Sequence, residues 1–419
     1  MRDLISIGKS AKKASLELKG LTEEKINQVL VAVSKEVINN ATFLKEQNAI
    51  DIEYARKNGK SEAFIDRLAL TDKVISSMAE GVRSVSELTS PVGEKVYDYY
   101  NEFQDIIVKK INVPFGVIGI IYESRPNVTL DAFSLCFKTK NAVVLRGGSD
   151  SINSNLAIAK VIKSALTKQG VTEEAINVLE DTSRQTATEF MKLNKYIDLL
   201  IPRGGASLIK NAVENATVPI IETGTGNCHV FVDESAKIDM ASEIIFNAKT
   251  QRYSVCNALE SIVIHKNIVK EALPIIAEKL KDKQVLIRAD EQSYEALKGY
   301  PYLERATEED FYTEYGDAIL SVKTVNTIDE AIEHINEHST GHSESIVTEN
   351  LSNAEKFLEY IDSSSVYHNA STRFSDGFVF GLGAEIGIST QKLHARGPMG
   401  LNALVTTKYI IKGNGSIRK

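Results

Sequence analysis

The stretch FGVIGIIYESRPNVTLDAFSLCFKTKNAVVLRGGS, residues 115–149, decides the fold. Its first run, VIGIIY (117–122), carries no polar alternation. It breaks at ESRPN (123–127), a helix is expected from Thr129, and a second apolar run follows in NAVVLRG (141–147). Strands that read as continuous apolar runs are buried on both faces, and amphipathic helices between them signify a parallel sheet. The rhythm continues through a helix from Ile152, INVLED (176–181), a helix from Arg184, IDLLIPRG (197–204), a helix from Ala206 and VPIIETG (218–224). The sequence therefore predicts a doubly wound α/β domain.

In such sheets ligands bind beyond the carboxyl ends of the strands. Here those ends read ESRPN, RGGS (146–149), PRGG (202–205) and ETGTG (222–226). Arginine and glycine recur there, which suits a phosphate-bearing ligand and makes Arg146, Gly147, Ser149, Arg203, Gly204 and Gly205 candidate contacts. The dinucleotide fingerprint GxGxxG is absent, GLGAEIG (381–387) has the wrong spacing, and no GxxxxGK loop occurs. A nucleotide would have to bind in a variant manner.

Outward from this core, apolar residues Ile26, Val29, Leu30, Val33 and Val37 recur at helical spacing behind Thr22, predicting helix from Thr22 to about Gly59, with more helix to about Leu88. QDIIVKKINVPFGVIGIIY reads as a strand, a turn and a second strand. After about Cys228 a second series of strands begins: HVFVD, ESIVIH, QVLIRAD, DAILSVKTV, ESIVT and SSVYHN. The tail NALVTTKYIIKGNG alternates like an antiparallel strand, to be paired with the IIVKKINV ribbon or with another subunit.

A chain of 419 residues is long enough for two or three domains. A net charge of -7 gives no footprint for nucleic acid or an anionic membrane. No signal peptide or apolar run of membrane-spanning length is visible, so a cytoplasmic protein is expected. Three scattered cysteines without CxxC spacing argue against a disulfide framework or a zinc knuckle. HINEH (334–338) matches the inverted zincin pattern. Its helix would bury Ile328, Ala331, Ile332 and Ile335 and leave both histidines on a solvated flank, so no metal is expected.

Cys136 lies between Phe133 and Phe137 and reads as core, and Cys228 opens an apolar strand. Cys256, in QRYSVCNALES (251–261), follows a polar run and precedes Asn257. It is read at a loop-to-helix junction, where backbone N–H groups would favour the thiolate. On residues alone it is either an inert cysteine or a nucleophile.

ESRPN, VVLRGGS, ETGTGNCHVFVD, QRYSVCNALES, YTEYGDAILSVKTV, GHSESIVT and the long run from HNASTRF to HARGPMG, in that order, resemble the gamma-glutamyl phosphate reductases of the aldehyde dehydrogenase superfamily. The resemblance implies an aldehyde dehydrogenase-like α/β fold: a Rossmann-like cofactor domain (1–95 and 114–227), an α/β catalytic domain (228–395) and a small oligomerisation β segment (96–113 and 396–419). It implies that Cys256 is the nucleophile, Asn127 an oxyanion donor beside the Cys256 N–H, and Glu314 a ribose contact. Glu222 matches the water-activating glutamate of oxidising members, which leaves its role in a reductase open.

Superfamily members that use NAD often carry an acidic residue three positions after the basic one ending the second strand. Here that place holds Ser149 after Arg146, which favours NADPH. Arg125, Ser371, Thr372 and Arg373 are candidate substrate contacts. The implied activity is reduction of an acyl phosphate to glutamate 5-semialdehyde in a homo-oligomer, with glutamate 5-kinase as a possible partner. The rivals are another superfamily oxidation, to an acid or a coenzyme A thioester, a nucleotide-binding protein without turnover, and a metallohydrolase reading of HINEH.

Overall fold

The computed structural model describes residues 3–123 and 125–418, so Ser124 of ESRPN lies outside them. The chain divides into two compact units. The first runs to Glu222 and regains the chain at Gly381–Gly387 and from Met399 onward; the second holds Thr223–Phe380 and Ile388–Pro398.

The first unit opens with helices α1 (Leu4–Lys19), α2 (Glu23–Asn39), α3 (Ala41–Lys57), α4 (Glu62–Leu68) and α5 (Asp72–Glu87). Thr22 caps α2 as its position suggests, accepting a bond from the Lys25 N–H. The helix expected over 22–59 is two helices. Asn40 turns its side-chain amide back onto the Glu36 carbonyl at 2.8 Å, a local bond that competes with the helical ladder and ends α2.

Next come β1 (Lys95–Asn101), β2 (Ile106–Pro114), β3 (Val117–Tyr122), α6 (Asn127–Lys138), β4 (Ala142–Arg146), α7 (Ile152–Lys168), β5 (Ile176–Val178), α8 (Arg184–Phe190), β6 (Leu199–Arg203) and α9 (Ala206–Asn215). β5, β4, β3 and β6 lie side by side in that order, all parallel, and every residue of β3 is buried. Each large aliphatic side chain buried in this way contributes about 1.5–3 kcal/mol. α6 starts at Asn127, two residues before the expected Thr129. VPIIETG is not a strand: Ile220 makes one bridge to Leu200, and Pro219, which has no N–H, supplies only a carbonyl beside β6.

The tail strand Val405–Gly413 pairs antiparallel with β2, the first of the two pairings expected for it, and β1 completes a three-stranded sheet. Tyr97, Tyr99, Tyr100, Tyr409 and Ile411 are exposed on it.

The second unit is built of β7 (Cys228–Val232), α10 (Ile238–Thr250), β8 (Leu259–His265), α11 (Val269–Lys281), β9 (Leu286–Ala289), α12 (Glu291–Ala296), β10 (Leu303–Arg305), α13 (Glu308–Phe311), β11 (Ile319–Val325), α14 (Ile328–His338), β12 (Ser343–Val347), α15 (Leu351–Tyr360) and β13 (Ser365–His368). Seven parallel strands run in the order β10-β9-β11-β8-β7-β12-β13. Val230, Ile262 and Leu320 pack with the apolar sides of α10 and α11. Phe231, Val263 and Ile346 pack with those of α14 and α15.

α14 departs from the sequence reading. His334 and His338 are not on a solvated flank but are buried beside Phe311. His338 Nε2 meets the Glu308 carboxylate at 3.2 Å, and burial keeps His334 neutral by lowering its pKa. The helical-period count missed this because α13 and the segment after it fold over that flank. Among the described residues no group of three or more side chains is gathered as a metal site.

Candidate active site

In the first unit two of the arginines stand at the ends of strands that flank β3. Ile121 pairs with Arg146 and Tyr122 with Arg203, so the two side chains leave the sheet on either side of β3. Arg146 donates from Nη2 to the carbonyls of Thr182 and Ser183, while its buried Nε has no hydrogen-bond partner among the described residues. Burial lowers its pKa, against the charges of Asp181 and Glu123. Gly147 is buried, and exposed Ser149 opens a short turn of 3-10 helix that leads into α7 and ends on buried Ser151. Asp51 holds the start of α7, accepting the Ser154 N–H at 2.8 Å.

Arg203, Gly204 and Gly205 lead into α9, and the Gly205 N–H donates to Glu123 at 3.0 Å. A carboxylate thus sits on an N–H of that helix start, where a phosphate is also favoured. Asn127, the first residue of α6, donates its amide to Asp131 at 3.0 Å. Burial pushes the Asp131 carboxyl up to about 6, against that bond and the charge of Arg203. Arg125 and Glu222 are both half-buried.

In the second unit Cys256 lies on a turn that runs straight into β8. No helix follows it, so the helix N-terminus expected to favour its thiolate is absent. The apolar residues after Asn257 build a strand instead. The surroundings supply other devices. The carbonyl of Cys256 accepts the Cys228 thiol at 3.1 Å. Asn257 donates to the Ser375 carbonyl at 3.0 Å, and the buried Thr372 hydroxyl donates to the Asn257 carbonyl at 2.8 Å.

The Cys256 turn is thereby stitched to residues 372–375. Ser371 caps the short 3-10 helix Thr372–Phe374 by accepting the Arg373 N–H, so the Ser371 and Thr372 hydroxyls are both engaged. Arg373 is half-buried, holds Gln251 at 2.9 Å and interacts electrostatically with Cys256. Burial lowers its pKa and the cysteine's charge opposes that fall.

Glu314 is exposed as a residue, yet desolvation of its carboxylate raises its pKa, against the Gly226 N–H that bonds to it. Gly226 in turn packs on the Cys256 peptide so closely that a Cβ would lie 1.5 Å from the carbonyl oxygen.

The chain matches the aldehyde dehydrogenase family over residues 3–294 and 311–408. It belongs to that family, among its gamma-glutamyl phosphate reductases. It is 55% identical to the gamma-glutamyl phosphate reductase of Lachnospira eligens and 53% identical to that of Caldicellulosiruptor bescii, each over the full length of both chains. The crystal structure of the Thermotoga maritima gamma-glutamyl phosphate reductase superposes with a TM-score of 0.96 at 46% identity, covering both chains completely. An acetylating aldehyde dehydrogenase of Geobacillus thermoglucosidasius, 18% identical with a TM-score of 0.71 over both full chains, shares the fold. A nicotinamide cofactor and an oxidoreductase activity come with the family.

Membership leaves four features that the sequence reading did not reach. Asp131 stands one helical turn beyond Asn127, and that i,i+4 spacing was the available signal. The Cys228 thiol on the Cys256 carbonyl and the close approach of Gly226 carry no local signal, because they depend on how segments meet. The fourth is a buried pair, Lys249 and Glu260, flanking the Cys256 turn.

Proposed function

We propose that the chain reduces L-glutamyl 5-phosphate to L-glutamate 5-semialdehyde with NADPH, releasing phosphate through a thioester on Cys256, as a step of proline biosynthesis. The observation that carries this reading is a half-buried thiol on a fixed turn, in electrostatic interaction with the guanidinium of Arg373. A cation beside a thiol favours the thiolate, which is the nucleophile.

The Cys256 thiolate adds to the acyl carbon, the carbon–oxygen bond to phosphorus breaks, and phosphate leaves with the electron pair. Charge grows on the acyl oxygen as the thiolate adds, and the Asn127 amide and the Cys256 N–H are the proposed donors to it. NADPH, when bound, supplies the hydride that reduces the thioester. The resulting thiohemiacetal on Cys256 collapses, freeing the aldehyde and restoring the thiolate. No hydrolytic water is needed, so Glu222 is proposed as a positioning group. Arg373 is proposed to steer the substrate's anionic end, with Arg125 as a second cation. Ser371 and Thr372 are proposed to support Arg373 by shaping its loop.

The residues present fit the cofactor. The partnerless Nε of Arg146 is a donor suited to a 2′-phosphate, with exposed Ser149 three positions on. Asp150, which would repel that phosphate, is paired with Lys60 at 3.6 Å. Arg203, Gly204 and Gly205 would hold the pyrophosphate, and Glu314 the nicotinamide ribose. The exposed aromatic sheet of β1, β2 and the tail strand suits assembly into a homo-oligomer. The acyl phosphate would come from glutamate 5-kinase, in the cytoplasm.

The test is NADPH formation from glutamate 5-semialdehyde and NADP+, run with phosphate, water alone or coenzyme A. The reading requires turnover with phosphate only, lost in Cys256→Ser while NADPH binding survives. Turnover with coenzyme A or water in place of phosphate would overturn it.

A further inference from the structure

Lys249 and Glu260 bracket the nucleophile turn, one in the last turn of α10 and the other in β8. Both side chains are buried, at 0% and 1% exposure, and Nζ lies 2.8 Å from the carboxylate. Burying an ammonium and a carboxylate loses more hydration than an apolar pair of equal volume would, so such a pair is a poor device for stability alone. Its second oxygen shows what else it does. Glu260 Oε1 accepts the N–H of Gly316 at 3.3 Å, and Gly316 has the left-handed φ of +61° that this turn needs.

Contacts close a ring from there. Gly316 stands two residues after Glu314, the Glu314 carboxylate faces the Gly226 N–H, and Gly226 packs on the carbonyl of Cys256. Asp317 and Cys228 also act on Lys249, and Glu314 on Glu260. Burial pushes both partners toward their neutral forms and each holds the other's charge in place.

We propose that the Lys249–Glu260 pair is a positioning device that fixes the loop of Glu314 against the nucleophile turn, so that cofactor binding and the placement of Cys256 are coupled. The coupling rests on the reading of Glu314 as a cofactor contact. Neither residue touches the reacting atoms. A positional error near an ångström in a nucleophile costs on the order of 10²-fold in rate.

The experiment uses the full-length enzyme and the double variant Lys249→Met with Glu260→Met, which removes both charges and keeps the volume. Melting temperature, kcat and KM for NADP+, and the rate of Cys256 alkylation by iodoacetamide with and without NADPH are measured. The expected result is a melting temperature close to wild type, kcat lowered on the order of tenfold or more, a raised KM for NADP+, and an alkylation rate that NADPH no longer changes. Lys249→Arg, which keeps the charge, should retain the NADPH effect.

Wild-type kcat, KM and NADPH-dependent alkylation in the double variant would overturn the proposal. Should that variant melt below the assay temperature, Glu260→Gln, which keeps shape but not charge, is read by the same criteria. Glu314→Ala separates the two ideas. If it leaves KM for NADP+ unchanged while the pair variants raise it, the Glu314 reading fails and the positioning role stands.

Discussion

The carbonyl oxygen of Cys256 lies 1.5 Å from where a Cβ on residue 226 would be. Only glycine allows the segment before β7 to touch the Cys256 peptide. Gly226→Ala must therefore displace the turn, since the atom it meets is backbone and not the far end of a flexible side chain. The expected outcome is a loss of kcat/KM on the order of 10²-fold, with a far-ultraviolet circular dichroism spectrum like wild type. A variant with wild-type kcat/KM would show that the turn moves without cost.

Local patterning carried the parallel sheet of the first unit, because continuous apolar runs and helical periods are properties of the residues themselves. Helices from Ile152, Arg184 and Ala206 begin where the sequence places them. What failed did so for tertiary reasons. VPIIETG is apolar enough for a strand, but it meets β6 by one bridge. The flank of α14 looks polar in periodicity, yet α13 covers it and buries His338 to 6%. Cys256 illustrates both sides. Its polar approach and the asparagine after it marked it in the sequence, while Gly226, Cys228 and Arg373 reach it from distant segments that no local window contains.

Arg373 interacts electrostatically with Cys256 and has Arg252 as a neighbouring cation. Removing its charge should leave the thiolate less favoured. Arg373→Ala is expected to slow iodoacetamide alkylation of Cys256 at neutral pH and to raise KM for the acyl substrate, whereas Arg373→Lys should recover most of the alkylation rate. Equal alkylation in wild type and Arg373→Ala would separate the guanidinium from the thiol.

Ser149→Glu tests cofactor choice. Ser149 is exposed, and the carboxylate next to it in the sequence, Asp150, is already paired with Lys60. A new carboxylate three positions after Arg146 would repel a 2′-phosphate and accept bonds from a 2′-hydroxyl. Kd for NADPH, followed by fluorescence titration, should rise about tenfold or more while that for NADH holds or falls, as one unpaired charge contact allows. Parallel changes for both nucleotides would remove Ser149 from the recognition.

The Asp131 carboxyl predicts a pH dependence whose sign follows from burial. In the folded chain its pKa is raised to about 6, with burial the larger cause and the Asn127 amide and Arg203 opposing it. In the unfolded chain it titrates near the ordinary value of about 3.9. Between the two the folded state binds the extra proton, so this contribution to stability is complete below the unfolded value and is lost as pH rises through about 6. Asp131→Asn does not titrate and still offers Asn127 an oxygen to donate to. Its melting temperature, measured by differential scanning calorimetry, should therefore gain on wild type as pH is raised from about 4 to about 7. Parallel curves over that range would mean that the carboxyl is not held up by burial. Asp131→Leu leaves the Asn127 amide without its acceptor, and its kcat should fall well below that of Asp131→Asn if Asp131 orients the amide for the oxyanion.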